Sequence, residues 1–548
     1  MRTFQPKIIE TLKNYSGKQF TSDIIAGIIV AIIALPLSIA LAIASGVEPI
    51  RGLYTAVVAG FVIALLGGSR VNISGPTAAF AVIVAGIVAQ HGISGLAVAT
   101  IMAGIILIIM GAAKLGSLIK YIPATITTGF TAGIAVTIAI GQIKDFLGLT
   151  YPSGTHAVET SEKLLAVVEN IGTINPWGAM VGVVCLLVLI VWPKVSKKIP
   201  GSLISVIVGV LMVEILKRFG IDDVATIGSS FGEIKASFPP FTLPRGVNLD
   251  MILTLLPSAF TIAILAGIES LLSCVVSDGM IKDKHNSNTE LIAQGAGNIC
   301  SALFGGIPAT GAIARTAANV NNGGRSPISG IVHSLVLLLV LVVFMPYAKF
   351  IPMPTIAAIL FMVAYNMSEW RKFVKVCKCA PRSDIFVLVL TFLLTVIFDL
   401  VVAIEVGLVI TLILFMRRME LVTGVRLWTN TLETEQLKGV PDGTKVFDID
   451  GALFFATTDV IPFYRDEDDI KAVIFRMRGV QSIDITAMWT VEKIYKKYKD
   501  KGVEVIFSHV NDQPLAIMKK SGFYEKAGEG AFAANIDEAL KMAEEICR

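Results

Sequence analysis

The sequence predicts a polytopic α-helical membrane protein of fourteen transmembrane segments, arranged as two inverted repeats of seven and followed by a C-terminal α/β domain. Three observations predict this class: an apolar composition, a series of apolar runs that stops near residue 417, and two similar short segments at corresponding positions. Of the 548 residues, 54% are hydrophobic and only 16% are charged, against about 25% charged in soluble proteins. The net charge of +4 is small and dispersed, which argues against a nucleic-acid partner.

The apolar runs are counted as fourteen candidate spans. They cover residues 22–45, 50–67, 76–90, 94–113, 122–143, 176–193, 200–217, 250–278, 290–304, 310–320, 326–348, 353–366, 384–399 and 401–417. The runs 76–90 and 310–320 are shorter than the roughly 20 residues that cross a bilayer alone. Both follow helix-breaking residues, so each is interpreted as a half-helix preceded by extended chain.

The distribution of basic residues orients the spans. An N-terminus on the cytoplasmic side places Lys282, Lys284, the basic cluster 371–382 and Arg417 in cytoplasmic segments, as the positive-inside rule requires. The basic residues fall on the cytoplasmic side only if both short runs, 76–90 and 310–320, cross the membrane domain. Fourteen spans are therefore favoured over twelve. The first 23 residues are polar and basic and resemble no cleavable signal peptide. We therefore expect an inner (plasma) membrane protein with both termini in the cytoplasm.

Two matched segments indicate an inverted repeat with a central site. GGSRVNISGPTAAFAV (67–82) and GGIPATGAIARTAAN (305–319) each lead from a glycine pair into a short apolar run. They contain the third and the tenth span, each third in a set of seven, and an odd number gives the two halves opposite topology. Interrupted spans at corresponding positions of inverted halves point to a transporter's binding site. Close helix packing by glycine is the alternative for either segment alone.

The two half-helix starts are candidates for anion binding. A helix N-terminus presents free N–H groups and a partial positive charge, which suit an anion. Arg315 adds a full charge next to the breakers; the alternative is a side chain that snorkels to the interface. The other candidate donors are the hydroxyls and N–H groups of Ser74, Thr77, Ala78, Ala79, Thr310, Ala312, Ile313 and Ala314.

Three further polar residues lie within apolar spans. Glu269 is a carboxyl group inside the eighth span, where charge is costly unless it is paired or protonated. It is therefore the candidate for proton coupling, with Ser273 one turn further on the same face; a structural ion pair with Arg315 is compatible with this role. Ser38, beside the helix-breaking Pro36 in the first span, could face the same cavity.

The predicted domains are a cytoplasmic N-terminal segment (1–21), a transmembrane domain (22–418) and a cytoplasmic C-terminal domain (440–548). The last alternates strand-like runs with an amphipathic helix. The six cysteines form no even framework, and Cys377 and Cys379 have no nearby histidine with which to bind a metal. The sequence shows no set of residues typical of a catalytic nucleophile with its base or of a metal site. We therefore expect no enzymatic activity, no metal and no organic cofactor.

Several motifs in the expected order resemble the sulfate permease (SulP) family of anion transporters over nearly the whole chain. They are ALPLSIALAIASGVEPIRGLY, SGPTAAF, GIESLL, NTELIAQGAGN, GGIPATGAIARTAAN and FMRRM. The resemblance implies seven plus seven inverted spans divided into a core and a gate domain, usually in a homodimer. It also implies an anion bound between the third and tenth half-helices. The positions it brings to that site are Leu37, Leu41, Thr77, Ala78, Glu269, Ser273, Ala312, Ile313, Ala314 and Arg315.

The C-terminal domain resembles a STAS domain, the module that follows the membrane part in this family. The phosphorylation signature of related anti-sigma-factor antagonists corresponds to Asp484-Ile485-Thr486-Ala487. Thr486 is therefore a regulatory candidate, although Ile485 and Ala487 depart from the pattern and favour a packing or dimerisation role. A cytosolic partner of this domain is a further expectation.

The predicted function is secondary active transport of an inorganic anion across the inner membrane. Sulfate is the favoured substrate and the proton the favoured coupling ion, in a symport mechanism. In sodium-coupled bicarbonate transporters of the family, the position of Glu269 resembles an aspartate and that of Ser273 a threonine. The glutamate of this chain therefore favours a proton as the coupling ion. Alternatives are a sodium-coupled bicarbonate or C4-dicarboxylate transporter, and an uncoupled anion channel or exchanger. A nucleobase permease or a membrane-tethered sensor explains Arg315 and the paired half-helices less well.

Overall fold

The computed structural model describes residues 4–13, 15–117, 123–152, 159–196, 199–232, 237–398, 400–428, 440–461 and 470–548. The chain divides into two compact units, Met1–Leu408 and Val409–Arg548. Parts of the predicted domains 1–21, 22–418 and 440–548 lie outside the described ranges, and their boundaries stay predictions.

A helix occupies each of the fourteen predicted spans in the described residues. In chain order they are α2 (Gly17–Ala44), α3 (Pro49–Leu66), α4 (Ala81–Ala112, which contains two spans), α5 (Ala124–Leu147), α7 (Pro176–Val195), α8 (Gly201–Arg218), α10 (Leu249–Ile281), α11 (Ser287–Leu303), α12 (Ile313–Asn321), α13 (Pro327–Phe344), α14 (Met353–Met367), α16 (Arg382–Ile397) and α17 (Leu400–Val422). Between them lie α1 (Lys7–Leu12), α6 (Thr160–Glu169), α9 (Ile227–Phe231) and α15 (Trp370–Cys379).

By length and composition, seven of the described helices could cross a membrane. The nine-residue α12 is too short to do so, as its sequence predicts. The third and fourth spans are two helices within α4 that meet at a kink at Gly92. Gly92 has φ 63° and ψ −170°, a conformation that a residue with a Cβ rarely adopts. The kink therefore separates the two predicted spans without a loop.

The two half-helices begin from a short antiparallel pair of strands. β1 (Ser74–Gly75) pairs with β2 (Thr310–Gly311), with Ser74 opposite Gly311 and Gly75 opposite Thr310. A 3-10 turn (Ala78–Phe80) leads from β1 into α4, and α12 follows β2 directly. Non-helical backbone at membrane depth must have its polar groups satisfied by protein or by water. The strand pair meets this requirement and lets corresponding segments of opposite topology start at one place.

Small residues allow the surrounding helices to approach closely. α4 contacts α11 where Gly104 meets Gly295, and a Cβ on Gly104 would lie 2.6 Å from the Gly295 carbonyl oxygen. Gly52 on α3 similarly leaves no space for a side chain beside the Ser38 carbonyl oxygen of α2. Such glycine contacts are typical of packed membrane helices, and they hold α2, α3, α4 and α11 around the strand pair.

The second unit is a mixed α/β domain, as predicted for 440–548. Its sheet has the order β3-β4-β5-β6-β7, in which β3 is antiparallel to β4 and the other neighbours are parallel. Its strands and helices are β3 (Gly424–Leu427), β4 (Thr444–Asp450), β5 (Ala472–Gly479), α18 (Ile485–Asp500), β6 (Glu504–Ser508), α19 (Asp512–Lys520), α20 (Phe523–Ala527), β7 (Phe532–Ala533) and α21 (Ile536–Cys547). Buried apolar residues form a core that includes Phe475, Phe507 and Tyr498.

Candidate functional site

The two half-helix starts leave backbone donors free. Thr77 precedes the 3-10 turn and Ala312 precedes α12, and no side chain caps either start among the described residues. The first N–H groups of a helix have no partner within the helix itself. Two sets of such donors therefore lie near the strand pair, and each carries the partial positive charge of a helix N-terminus.

Arg315 lies in the first turn of α12 and is buried, with 2% of its surface exposed. Its Nη2 donates a hydrogen bond to the Pro76 carbonyl oxygen, which precedes the other half-helix. Its Nε and Nη1 have no hydrogen-bond partner within the described part of the chain. Gly75 makes room for the guanidinium, because a Cβ there would collide with Nη1. The charge is thus held between the two half-helix starts and does not snorkel to the interface.

Glu269 reaches the same region from the middle of α10. Its Oε2 accepts a hydrogen bond of 3.1 Å from Thr77 Oγ1, and the side chain is half-buried. No ion pair joins Glu269 to Arg315 among the described salt bridges. The Glu269 carboxyl group is therefore held by the Thr77 hydroxyl and is not paired directly with the cation.

The predicted binding residues differ in accessibility. Leu37, Thr77 and Ala312 are half-buried, and Ile313 and Ala314 are exposed. Ala78, Ala79 and Leu41 are buried, and the only donors of the two alanines are their backbone N–H groups. Accessible surface is thus contributed by α2, α10 and both half-helix starts.

Four predicted groups are used or placed differently from the expectation. Thr310 Oγ1 donates to the Ala266 carbonyl oxygen at 2.8 Å, and the Ala312 N–H donates to the Ile73 carbonyl oxygen at 2.9 Å. Ser273 Oγ donates to Asn72 Oδ1 at 2.8 Å, and no hydrogen bond joins Ser273 to Glu269 in the described part of the chain. Ser38 is fully buried, and its hydroxyl has no partner in the described residues. Three of these groups hold the strand pair and its helices in place, which leaves them unavailable to an anion.

A polar face of α11 supports the strand pair, and its role was not predicted. Glu290, Gln294 and Asn298 recur every four residues and so share one side of the helix. The buried Glu290 carboxylate accepts five hydrogen bonds. The donors are the N–H groups of Gly68 and Ser69 and the side chains of Asn72, Ser270 and Gln294, at 2.8 to 3.2 Å.

The same face of α11 holds the second strand. Asn298 exchanges two hydrogen bonds of 2.8 Å with the backbone of Ala309, and Gln294 Nε2 donates to Ser74 Oγ at 2.9 Å. The motif NTELIAQGAGN carried a signal for this network, because its polar residues recur at i, i+4 and i+8 in an apolar environment. α11 therefore positions β1 and β2, and its Gln294 side chain engages the hydroxyl of Ser74, one of the predicted anion donors.

Thr486 lies in the first turn of α18 and is exposed. Asp484 caps this helix and accepts hydrogen bonds from the N–H groups of Ala487 at 2.8 Å and Phe455 at 2.9 Å. The Thr486 side chain is thus accessible, and its regulatory role stays a prediction.

Comparison with protein-family models gives two matches. Residues 20–391 match the model of the sulfate permease family, and residues 432–539 match that of the STAS domain. These matches agree with the two kinds of structure described above, a helical membrane unit and a mixed α/β unit.

Individual relatives match nearly the whole chain. It is 40% identical to the protein YvdB of Bacillus subtilis, provisionally named a sulfate transporter, over 96% of this chain and 98% of that protein. It is 30% identical to the bicarbonate transporter BicA of Picosynechococcus sp., over 96% of this chain and 95% of the relative.

Solved structures show the same fold. The murine Solute Carrier 26 family member A9 anion transporter in the inward-facing state superimposes with a TM-score of 0.88 at 18% identity, over 98% of this chain and 94% of that one. The transmembrane domain of a cyanobacterial BicA matches with a TM-score of 0.64 at 31% identity, over 71% of this chain and 98% of that domain. The chain therefore belongs to the sulfate permease family of membrane anion transporters, which are not enzymes, and carries a C-terminal STAS domain.

Proposed function

We propose that this protein is a secondary active transporter of an inorganic anion, with sulfate as substrate and a proton as the coupled ion. The observation that carries the proposal is the position of Arg315, whose guanidinium donates to Pro76 between two uncapped half-helix starts. Two of its nitrogens have no acceptor in the described protein. An oxyanion could supply acceptors to this guanidinium and to the free N–H groups together.

The contact between Glu269 and Thr77 supports the coupling role. With no anion bound, a charged Glu269 partly balances the charge of Arg315. A bound dianion near Arg315 would repel this carboxylate, and a proton on Glu269 removes the repulsion. Anion and proton therefore favour each other's binding, and the hydrogen bond between Thr77 and Glu269 links the coupling group to the substrate half-helix.

Sulfate is favoured by the 40% identity to a relative provisionally named for sulfate. Bicarbonate is the second candidate, because a bicarbonate transporter is 30% identical over nearly the whole chain. For that candidate, sodium would be the coupling ion. No organic cofactor takes part in either mechanism.

The proposal also covers the membrane in which the protein lies, its oligomeric state and the orientation of its termini. The protein would lie in the inner membrane as a homodimer with both termini in the cytoplasm, and its STAS domain would bind a cytosolic partner. Alternating access would move the core helices against the gate helices around the half-helix site.

Uptake of labelled anions into proteoliposomes tests the proposal. Sulfate should accumulate when an inward proton gradient is imposed at a clamped membrane potential, and bicarbonate or a C4-dicarboxylate should compete weakly. Accumulation driven only by a sodium gradient would show that sodium, and not the proton, is the coupling ion. Strong competition by bicarbonate or a C4-dicarboxylate would identify that anion as the substrate. Uptake that ignores both gradients would indicate a channel or exchanger.

Two variants localise the roles, each with a matched control. Arg315→Ala should raise the KM for sulfate at least tenfold, whereas Arg371→Ala, at an exposed arginine on α15, should not. Glu269→Gln should abolish dependence on the pH gradient, whereas Glu214→Gln, at an exposed glutamate on α8, should keep it. An unchanged KM in Arg315→Ala, or proton-driven accumulation in Glu269→Gln, would remove that residue from its proposed role.

A further inference from the structure

The helix α15 has an apolar side and a basic side, and the proposed transport mechanism uses neither. Four apolar residues recur at i, i+3, i+4 and i+7 and so share one side of the helix. They are Trp370, Phe373, Val374 and Cys377. Three basic residues recur at i, i+4 and i+7 on another side. They are Arg371, Lys375 and Lys378.

α15 connects two predicted membrane spans without belonging to either. It follows α14 after Glu369, whose φ of 41° and ψ of 38° are left-handed and end the run of α14. Pro381 then precedes the next span, α16. A helix of ten residues is about 15 Å long, roughly half the thickness of the hydrocarbon core of a bilayer. α15 is therefore too short to cross, and it lies where the two neighbouring spans leave the membrane.

The protein covers only one edge of the apolar side. Phe373 is half-buried, and its ring contacts that of Phe392 on α16 with the centroids 5.5 Å apart. Trp370 and Val374, on the other edge, are 47% and 39% exposed. Tryptophan is enriched at membrane–water interfaces, where its ring lies at the level of the headgroups. The uncovered edge is thus suited to contact with lipid.

The basic side adjoins this uncovered edge. The Arg371 guanidinium lies over the Trp370 ring, 5.4 Å from its centroid. Arg371, Lys375 and Lys378 are exposed, and none of them forms an ion pair among the described residues. The neighbouring carboxylate of Glu369 is paired with a different lysine at 2.9 Å. Three unneutralised cations therefore flank an apolar strip at the membrane surface.

We infer that α15 is a binding site for anionic phospholipid. Trp370 and Val374 contact the upper part of the acyl chains, and the three cations hold headgroups of net negative charge. In the proposed orientation these lipids belong to the cytoplasmic leaflet. The inference rests on the membrane fold and is independent of which anion the protein transports.

Quenching of Trp370 fluorescence by brominated lipids tests the contact. The chain has five tryptophans, so the Trp370 signal is the difference between the native protein and Trp370→Phe. In phosphatidylcholine bilayers, a minor fraction of brominated phosphatidylglycerol should quench this signal at least about twofold more than the same fraction of brominated phosphatidylcholine. Equal quenching would show no preference for anionic lipid, and no quenching by either lipid would show that α15 faces protein or water. Both outcomes would overturn the inference.

A triple variant assigns the preference to the basic side. With Arg371→Gln, Lys375→Gln and Lys378→Gln combined, the two brominated lipids should quench Trp370 equally, and glutamine keeps a helix propensity close to that of lysine and arginine. The matched control removes the same charge from exposed positions of the STAS domain and should keep the native preference. It combines Lys493→Gln, Lys496→Gln and Lys520→Gln. A native preference that persists in the α15 variant would belong to another part of the protein and would contradict the inference.

Thermal unfolding of the detergent-solubilised protein gives a measurement that does not depend on Trp370. A ligand that binds only the folded state raises the unfolding midpoint by mass action. Added phosphatidylglycerol should therefore raise the midpoint of the native protein by a few degrees more than phosphatidylcholine does. The α15 triple variant should lose this difference and the STAS variant should keep it. Equal midpoints with the two lipids in the native protein, or an undiminished difference in the α15 variant, would overturn the inference.

Discussion

Thr77 Oγ1 donates a hydrogen bond of 3.1 Å to Glu269 Oε2. The bond joins the residue that precedes one half-helix to the middle of α10, 192 positions further along the chain. In the proposed mechanism, a change in the protonation of Glu269 would therefore act directly on the start of this half-helix.

Thr77→Val should reduce the maximal rate of proton-driven anion uptake about tenfold, because valine keeps the shape of threonine but cannot donate to the carboxylate. A hydrogen bond to a charged group contributes about 1.5–3 kcal/mol, and 1.4 kcal/mol corresponds to a factor of ten. Thr77→Ser retains the hydroxyl and should remain within twofold of native in the same proteoliposome assay. Native rates in Thr77→Val would show that the bond has no part in coupling.

Gly75→Ala should abolish or strongly impair uptake in a folded protein, because the new Cβ would displace the Arg315 guanidinium. Gly86→Ala is the matched control in α4, where a Cβ meets nothing within 4 Å and alanine favours the helix. Size-exclusion profiles of both variants should match the native protein, so that the loss is assigned to the site. Normal uptake by Gly75→Ala would mean that the guanidinium can move without consequence.

Glu290→Ala should lower the thermal unfolding midpoint of the detergent-solubilised protein by many degrees. Five donors lose this acceptor. The side chains of Gln294 and Asn72 keep serine hydroxyls as acceptors, and each buried donor left without any acceptor costs about 1–3 kcal/mol. Glu290→Gln keeps part of the acceptor capacity and should lie between Glu290→Ala and the native protein. Glu214→Gln, at an exposed position, should leave the midpoint unchanged. A small shift for Glu290→Ala would contradict a supporting role for this face of α11.

The N-terminal helix α1 should loosen in acid. Arg70 forms ion pairs with Glu10 at 2.8 Å and Asp283 at 2.9 Å. The hydrogen bond from Lys7, followed by that from Arg70, lowers the pKa of Glu10 below its ordinary value of 4.5. A carboxyl group with a lowered pKa stabilises the folded state above its unfolded pKa, and this contribution is lost as the pH falls through the folded pKa.

Hydrogen exchange of residues 7–12 tests this prediction, with intrinsic rates corrected for pH. Protection should be lower at pH 4 than at pH 7, and Arg70→Gln should reproduce the loss at pH 7. Glu10 is 47% exposed, so solvent screening limits the effect to local opening of α1. Equal corrected protection at both pH values would show that these ion pairs do not hold the helix.

Much of the fold could be predicted from the sequence. Apolar runs of sufficient length imply membrane helices, and the matched glycine-rich segments revealed a repeat whose half-helices start together. Arg315 and Glu269 were detectable because a charge within an apolar run is conspicuous. The direct junction of two helices at Gly92 within α4, by contrast, depends on a backbone conformation that periodicity does not specify.

The composition of the site could be predicted only in part. Thr310, Ser273 and the Ala312 N–H have the chemistry of anion donors, but their partners are Ala266, Asn72 and Ile73. A hydroxyl in a sequence shows its capacity to donate and gives no indication of the acceptor. The buried polar face of α11 escaped prediction for the same reason, since its donors and acceptors come from four separate segments.

The sequence by itself determined the membrane helices, their repeat and the presence of a cation at a helix break, because these features depend on local hydrophobicity and chain conformation. Tertiary structure alone decided which polar groups face one another: Thr77 with Glu269, Arg315 with Pro76, and Glu290 with the segment before β1. The physical reason is that a hydrogen bond requires two groups within about 3 Å, and residues some 200 positions apart reach that distance only when the helices pack.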